Sequence, residues 1–463
     1  MRSLSAHLGS QTFALLAVTI LTLFDGPKSH ADGGATTNSA ACFYSADPNH
    51  IWNRLHRALF VRTAPDGKEY GADQLDPLLW ANTKFLLEGS SHERAVNALD
   101  EFLAKHAEKL INDRLKRAIL QRDLWAVFDW SANHWDAGNE VRRRELQKRL
   151  VQVIKRVALS AEEIKTLPDN YSEAIASKKF ASNYFADRSD EPFLPPDLFQ
   201  RDGQWVCVGA NGSDPVAPTH VRAFDGRSVF LVFLSLPGGH QATIDYLNKL
   251  RIFPNPWIPN SSASDPNRFL PNPDLPQFPV GTQVALVRQS ILIDSDGNLV
   301  PARLTESVQL RVYRAIPKAK GSDVRMVNAT GSQDVYEFKL SRPKLFAHEA
   351  GGLRAIGKDE RDIVFVQMQS FGVDPFEFSE EERKRWGPPM FIEVVLNTCM
   401  SCHSAPGIHS LNSRAQLFER KTLRPPELAD LSPDREQLFT MIWKQRHYTW
   451  GLLQGLWATE DPR

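Results

Sequence analysis

The sequence predicts an α+β protein with an N-terminal helical domain, a mainly antiparallel β middle domain and a small helical C-terminal module. Between about 72 and 190, apolar residues recur at three- and four-residue steps, which is typical of amphipathic helices. From about 203 to 345 they alternate at two-residue steps, which is typical of half-buried strands. After about 376 the helical pattern returns.

The composition fits such a protein and argues against several other classes. The chain has 463 residues, of which 42% are hydrophobic, enough for two or three domains at roughly 150 residues each. Lys plus Arg and Asp plus Glu both number 55. Because these charges balance, no bulk positive field would draw the chain onto nucleic acid or an acidic membrane surface. We therefore expect no nucleic-acid partner.

The N-terminus has the layout of a secretory signal peptide. Arg2 precedes an apolar run over 13–24, and the small-residue frame Ser29-His30-Ala31 follows it. That run is shorter than the roughly 20 residues that cross a bilayer, so the chain is not expected to span a membrane once the leader is removed. The sequence predicts a signal peptide over 1–31 and a periplasmic or secreted protein, with an uncleaved N-terminal anchor as the alternative.

A flexible tether and entry segment is predicted over 32–71, before the helical domain of 72–190. In that domain Ser90 and Glu93 form a capping-box pattern that opens one long amphipathic helix. Its apolar positions are Ala95, Ala98, Leu99, Phe102, Leu103, Leu110, Ile111, Leu115, Ala118 and Ile119. A second helix is predicted from Glu140 to Leu159, and Ser160 with Glu163 opens the next.

The β-rich domain of 203–345 contains a buried strand over 229–234 and a clear two-residue alternation at Val308, Leu310 and Val312. Asp-Gly chemistry over 294–298 predicts a hairpin turn. Eight prolines between 254 and 279 predict an extended surface loop, because proline cannot donate a hydrogen bond to a sheet.

One motif carries recognisable chemistry: Cys399-Met400-Ser401-Cys402-His403, a C-x-x-C-H sequence. This spacing is that of covalent haem attachment. Two thiols three positions apart can reach the two vinyl groups of one porphyrin edge, and the adjacent imidazole then lies beneath the iron. An export leader suits this chemistry, because covalent haem attachment in bacteria occurs outside the cytoplasm.

On this motif, residues from about 388 to 463 resemble a small c-type cytochrome module, and we place the module boundary at 376–463. The resemblance implies covalent haem c with its iron as cofactor, Cys399 and Cys402 as thioether attachments and His403 as the proximal iron ligand. It also implies electron transfer to a periplasmic redox partner protein. The rest of the chain resembles no family that we recognise.

The module departs from the family pattern at the sixth iron ligand, because no Met occurs between His403 and Leu438. Met441, His447 and His409 are the candidates. His409 follows His403 by only six residues, a span of at most about 20 Å. His447 shares one predicted helical face with the tryptophans at 443, 450 and 457. That aromatic face either covers the haem, which favours His447 as the ligand, or belongs to the hydrophobic core. Met441 can be the ligand if the helix starts later. An open sixth site is the remaining alternative.

The same residues could serve other functions. A thioredoxin-like dithiol or a zinc site would use the same cysteines, but the sequence offers neither a βαβ context nor a second close pair of ligands. An enzyme is the alternative function, with the haem reducing peroxide or relaying electrons to a site near His240. A haem sensor or binding protein is a third hypothesis. In an oxidising compartment, Cys42 and Cys207 are predicted to form a disulfide, with two buried, unreacted cysteines as the alternative.

Overall fold

The structure is a computed structural model that describes residues 42–63, 67, 69–73, 75, 84–133, 140–209, 214–259, 269–318, 328–363, 376, 380–386, 392–411, 429–430 and 433–459. The predicted signal peptide lies outside the described residues.

The helices of this part of the chain are α1 Ile51–Phe60, α2 Gly89–Ala104, α3 Arg114–Asn133, α4 Glu140–Val157, α5 Ala161–Lys165, α6 Asn170–Ala176, α7 Pro218–Ala223, α8 Gly239–Arg251, α9 Arg342–Phe346, α10 Glu380–Trp386, α11 Val395–His403, α12 Pro433–Gln445 and α13 Tyr448–Thr459. The strands are β1 Arg62–Thr63, β2 Glu69–Tyr70, β3 Val206–Gly209, β4 Ser228–Ser235, β5 Trp257–Pro259, β6 Phe269–Pro271, β7 Gln283–Ile293, β8 Leu299–Tyr313, β9 Gln333–Leu340, β10 Leu353–Ala355, β11 Arg361–Ile363, β12 Ile392–Val394 and β13 Ala429–Asp430.

The main sheet has seven strands in the order β10-β9-β8-β7-β4-β3-β13, and all neighbouring pairs are antiparallel. The predicted combination of helices with an antiparallel sheet is therefore confirmed. The strand predicted over 229–234 is β4, and the alternating residues at 308–312 lie on β8. The predicted hairpin turn is also confirmed, because the Asp294 amide donates to the Asn298 carbonyl at 2.9 Å between β7 and β8.

The sheet has two distinct faces, because successive side chains on a strand point to opposite sides. We define the first face by the buried residues that join the helices in one large core: Val229, Leu231 and Phe233 on β4, Ala285 and Val287 on β7, Val308, Leu310 and Val312 on β8, and Tyr336, Phe338 and Leu340 on β9. The second face is formed by the intervening positions: Phe230, Val232, Leu234, Val284, Leu286, Arg288, Gln309, Arg311, Gln333, Val335 and Glu337.

The helices on the first face differ from the prediction in one respect. The long helix expected from Ser90 onward is two helices, α2 and α3, separated by a 3-10 turn over Ala107–Lys109. His106 precedes that turn in the left-handed conformation, at φ 49°, which a continuous helix cannot contain. The capping box at Ser90 is also wrong, because α2 begins at Gly89 after Glu88 without a side-chain cap. The capping box of Ser160 is confirmed.

The segment expected to be a tether and entry region contains α1, a helix that was not predicted. Its Trp52, Leu55 and Leu59 are fully buried in the first-face core. The imidazole of His50 accepts a hydrogen bond from the Trp52 amide, which caps the helix. Residues 51–60 are therefore part of the packed fold.

The predicted final helix is also interrupted, because α12 ends at Gln445 and α13 begins at Tyr448. Trp450 and Trp457 are buried in the first-face core. The Trp450 ring lies 6.0 Å from that of Trp125 on α3. For these two tryptophans, the interpretation as core residues is confirmed.

The predicted disulfide is absent, since no bond joins Cys42 to Cys207. Cys207 is buried in the middle of β3, where it pairs with Phe233 of β4. Cys42 lies before α1, beside aromatic residues that pack on that helix. Both cysteines are unbridged, as in the alternative, but only Cys207 is buried, whereas Cys42 is partly exposed.

Among the described helices, none is both long enough and apolar enough to cross a bilayer.

Candidate functional site

The C-x-x-C-H motif forms the C-terminal half of α11, which follows directly on strand β12. Cys399 is partly buried and Cys402 is exposed. His403 is the last residue of the helix and is partly buried. The helix therefore places both thiols and the imidazole within one turn and a half of each other.

A single hydrogen bond fixes the orientation of the His403 ring. Its Nδ1 lies 2.6 Å from the backbone carbonyl oxygen of Ser410, which can only accept, so Nδ1 carries the proton. The neutral ring then presents the lone pair of Nε2. A histidine that binds a metal usually donates its other N–H to a carbonyl or carboxylate in this way.

The loop that supplies this carbonyl is firmly held. The Gln277 side chain accepts from the Ile408 amide at 2.7 Å and donates to the Pro406 carbonyl at 3.4 Å. Gly407 has φ 53°, and a Cβ there would lie 2.0 Å from Gln277 Oε1. Only glycine fits both the left-handed backbone and this close approach. The position of the Ser410 carbonyl is thus set by contacts outside the motif.

The second face of the sheet is the floor beneath the motif. Arg311 on β8 and Gln333 on β9 each donate to the His403 carbonyl at 3.4 Å. The Sγ of Cys399 lies 4.0 Å from Oε2 of Glu337 on β9. The Ala329 amide donates to the Ser404 carbonyl at 2.6 Å. The motif is therefore docked on strands that lie far from it in sequence.

A second histidine, which the sequence analysis missed, lies next to His403. The ring of His220, on α7, is centred 6.0 Å from the ring of His403, and the two planes differ by 11°. The other ring neighbour of His220 is Phe230 of β4, at 5.3 Å. Among the described residues, neither nitrogen of His220 has a hydrogen-bond partner. No local sequence pattern identifies His220, because only the folded sheet brings it to the motif.

Both imidazoles are held in their neutral forms. Burial, together with the positive charges of Arg311 and Arg288, lowers the pKa of His220 to about 4. Burial, Arg311 and His220 hold the pKa of His403 well below its usual value, and the hydrogen bond with Ser410 opposes this only in part. Neutral imidazole is the form that binds metals.

A partly exposed strip crosses the second face of the central strands. Val232, Leu286 and Gln309 are direct neighbours on β4, β7 and β8, and all three are partly exposed. On one side of this strip, Leu234 and Val284 are buried beneath α8 in a separate apolar cluster. An antiparallel sheet can leave part of one face exposed, and among the described residues this strip is such a part.

The predicted candidates for the sixth ligand have other neighbours. His447 lies at the break between α12 and α13, with its ring 5.1 Å from that of Trp443 and its Nδ1 3.1 Å from Thr449 Oγ1. Met441 is partly buried against the first-face core. The role of either residue as the sixth ligand stays a prediction.

The structure also gives the positions of the two other candidate histidines, His409 and His240. His409 is buried on the 3-10 turn of Gly407–Ser410, and burial lowers its pKa to about 4. His240 opens α8, with its Nδ1 2.8 Å from the Gly203 carbonyl, which ties the helix to the preceding loop.

The Cys399 thiol does not resemble that of a reactive dithiol. Burial, assisted by the carboxylate of Glu337, raises the pKa of Cys399 to about 12. Redox-active cysteines of C-x-x-C proteins instead have lowered pKa values and lie at helix N-termini. In the part of the chain that the structure describes, no group of three or more His, Cys, Asp or Glu side chains could hold a metal ion. A protein-only zinc site is therefore not formed by the described residues.

Comparison of the chain with protein-family models, with curated proteins and with solved structures returns no match in any of the three.

Proposed function

We propose that this protein is an exported monohaem c-type cytochrome that transfers electrons. The observation that carries the proposal is the joint geometry of the motif: two thiols three positions apart on one helix, followed by a histidine whose Nδ1 is bound to the Ser410 carbonyl. This donor set fits haem c, because it offers two sulfurs for thioether bonds and one oriented Nε2 lone pair for iron.

The chain's own residues have separable roles in this proposal. Cys399 and Cys402 would hold the porphyrin, and His403 would hold the iron. Arg311 adds a positive charge that is 5% exposed and forms no ion pair with a carboxylate among the described residues. A haem propionate would neutralise this charge, whose burial without a partner is costly.

When bound, haem supplies a one-electron couple whose potential depends on axial ligation and burial. Residues 376–463 would contribute the attachment motif as a cytochrome c-like module, and the β-rich region would contribute the floor beneath it. Cys402 is exposed, so the attached edge of the cofactor would face the surface, where a periplasmic redox partner can dock. Export through the predicted signal peptide would deliver the chain to the compartment where haem is attached.

The test is expression of the full chain with haem-maturation machinery, followed by a covalent-haem stain on a denaturing gel and a visible spectrum of the reduced protein. We expect a haem-stained band from the wild type and none from the double variant Cys399→Ala/Cys402→Ala. Cys42→Ala is the matched control, because it removes a thiol outside the motif and should leave the stain unchanged. Colourless wild-type protein that retains both motif thiols would refute the proposal.

A further inference from the structure

We infer that His220 is the sixth ligand of the haem iron, opposite His403. This inference rests on the proposed function and extends it, because it assigns the distal ligand to the β-rich region and not to the C-terminal helices.

The separation of the two rings is the first argument. A metal bound between two imidazoles needs about 2 Å for each metal–nitrogen bond, and each nitrogen lies about 1.1 Å from its ring centre, so the centres lie about 6 Å apart. The ring centres of His220 and His403 are 6.0 Å apart. The two rings are nearly parallel in this arrangement. Their separation equals the one that two imidazoles bound to the same iron require.

The second argument concerns the ring nitrogens that make no hydrogen bond. In His403, Nδ1 is hydrogen-bonded to the Ser410 carbonyl, so Nε2 remains for a metal. His220 has committed neither nitrogen to a partner among the described residues, although its ring is packed against Phe230. Neither His220 nitrogen is among the fully buried, unpaired polar atoms of the described residues, so a ligand can reach this ring. A bond to iron would occupy one of its nitrogens.

The surroundings of the pair are the third argument. The partly exposed strip of Val232, Leu286 and Gln309 lies on the same sheet face as Phe230, which supports His220, and Arg311, which contacts His403. The valine and leucine of this strip suit a flat, largely apolar cofactor. Arg311 adds a positive charge on the same face, whereas Arg288 is paired with Glu306 at 2.6 Å.

Two protein ligands would leave the iron without an open position. Such iron does not bind peroxide or another small molecule unless a ligand leaves. The inference therefore favours electron transfer over the alternatives of a peroxidase-like enzyme or a gas-binding sensor.

The test uses the full chain loaded with haem and reads the spin state of the ferric iron by visible absorption and electron paramagnetic resonance. We expect a low-spin spectrum from the wild type. His220→Phe preserves the aromatic packing on Phe230 and removes both nitrogens. We expect this variant to keep the haem stain and to lose the low-spin signal completely. Addition of imidazole should restore the low-spin signal. His447→Phe and Met441→Leu are the matched controls, and both should remain low-spin.

His220→Met provides a second measurement if the Phe variant folds poorly. A thioether in place of the imidazole should keep the iron low-spin and raise its reduction potential, as Met/His ligation does. Any one of three results would overturn the inference. The His220→Phe spectrum could remain low-spin without imidazole, or the His220→Met potential could equal that of the wild type. The third such result is loss of the low-spin signal in His447→Phe. Each of these outcomes occurs in haem-stained protein, whereas wild-type protein without the stain refutes the proposed function and the ligand assignment together.

Discussion

The two faces of the seven-stranded sheet are made from alternating residues of the same strands, yet they are chemically different. The first face is a continuous apolar layer, with Leu231, Val287 and Val308 fully buried under the helices. The second face carries Arg288, Arg311 and Glu337 and holds the motif helix and His220. The first face therefore supplies the stability of the fold, and the second face supplies the surroundings of the candidate site.

This difference explains how the candidate site can contain buried charged groups, whose desolvation lowers the stability of the fold. Buried arginine and carboxylate side chains on the second face stabilise little by themselves. The helical layer on the first face supplies apolar burial that offsets such costs. Substitutions on the two faces should therefore have different consequences.

The largest effect is expected at the buried ion cluster beside the first-face core. Asp129 on α3 lies 2.6 Å from the Lys444 ammonium and 2.8 Å from Nη1 of Arg227. Asp129→Asn removes the carboxylate that pairs with the buried ammonium, so we expect a loss of about 3–5 kcal/mol in the free energy of unfolding, measured by chemical denaturation. The surface pair of Arg149 and Asp100 is the control, because Asp100→Asn should cost less than about 1 kcal/mol. Equal effects at the two sites would contradict the prediction.

The same cluster predicts a dependence of stability on pH. Burial alone would raise the pKa of Asp129, but Lys444 and Arg227 outweigh it and lower the pKa. The unfolded value is about 3.9, so this contribution is complete above that pH and is lost as the pH falls through the folded value. We expect the acid side of the wild-type stability curve to be steeper than that of Asp129→Asn. Parallel curves for the two proteins would show that Asp129 is not responsible.

The next largest effect tests the packing of the first face. Leu231 on β4 is fully buried there, and Leu231→Ala leaves a cavity, so we expect a loss of about 2–5 kcal/mol in the free energy of unfolding. The low-spin spectrum of the folded, haem-loaded protein should not change, because the substituted side chain points away from the site. A change in spin state at full folding would break the separation of the two faces.

A smaller effect on stability and a larger one on the site are expected at Gly407. Gly407→Ala places a Cβ at φ 53° against Gln277, so we expect a cost of about 1–3 kcal/mol and displacement of the Ser410 carbonyl from His403. The reduction potential of the haem-loaded protein should shift, because the hydrogen bond tunes the basicity of the imidazole. Gly331→Ala is the control, since a Cβ there meets no atom within 4 Å. An unchanged potential in Gly407→Ala would argue that the carbonyl does not orient the ring.

The smallest effect on stability is expected on the second face. Val232 is the neighbour of Leu231 on β4 but is partly exposed on the second face, so Val232→Ala should cost about 1 kcal/mol or less in protein without haem. In haem-loaded protein the cost should increase, because the cofactor would cover this strip. Denaturation of the two forms side by side measures the difference. A cost that does not depend on haem would place the cofactor elsewhere.

The sequence predicted those elements whose signals are local. The alternation at Val308, Leu310 and Val312 indicated β8 because one face of that strand is uniformly apolar. Helix breaks were missed at His106 and near His447, because a single residue in the left-handed region or a short turn leaves the apolar period almost unchanged. The disulfide prediction was wrong for a related reason: cysteine counting cannot say whether two chain segments approach one another.

The candidate site was predictable only in part, for the same reason. The spacing of Cys399, Cys402 and His403 is a pattern of five residues and needs no tertiary information. The carbonyl of Ser410, the guanidinium of Arg311 and the ring of His220 reach the motif only through the register of β4, β7, β8 and β9. A single sequence does not encode that proximity in any short-range pattern.

The anchoring of the motif to several strands has a consequence for how the molecule would melt. The Gln277 side chain connects the loop after α11 to the segment that precedes β7, and the Gln333 side chain connects it to β9. Opening the sheet would therefore separate the two imidazoles at the moment when the strands part. We expect the haem absorbance of the loaded protein to report unfolding directly. On heating, the decrease of the Soret absorbance and the loss of circular dichroism should follow the same melting curve.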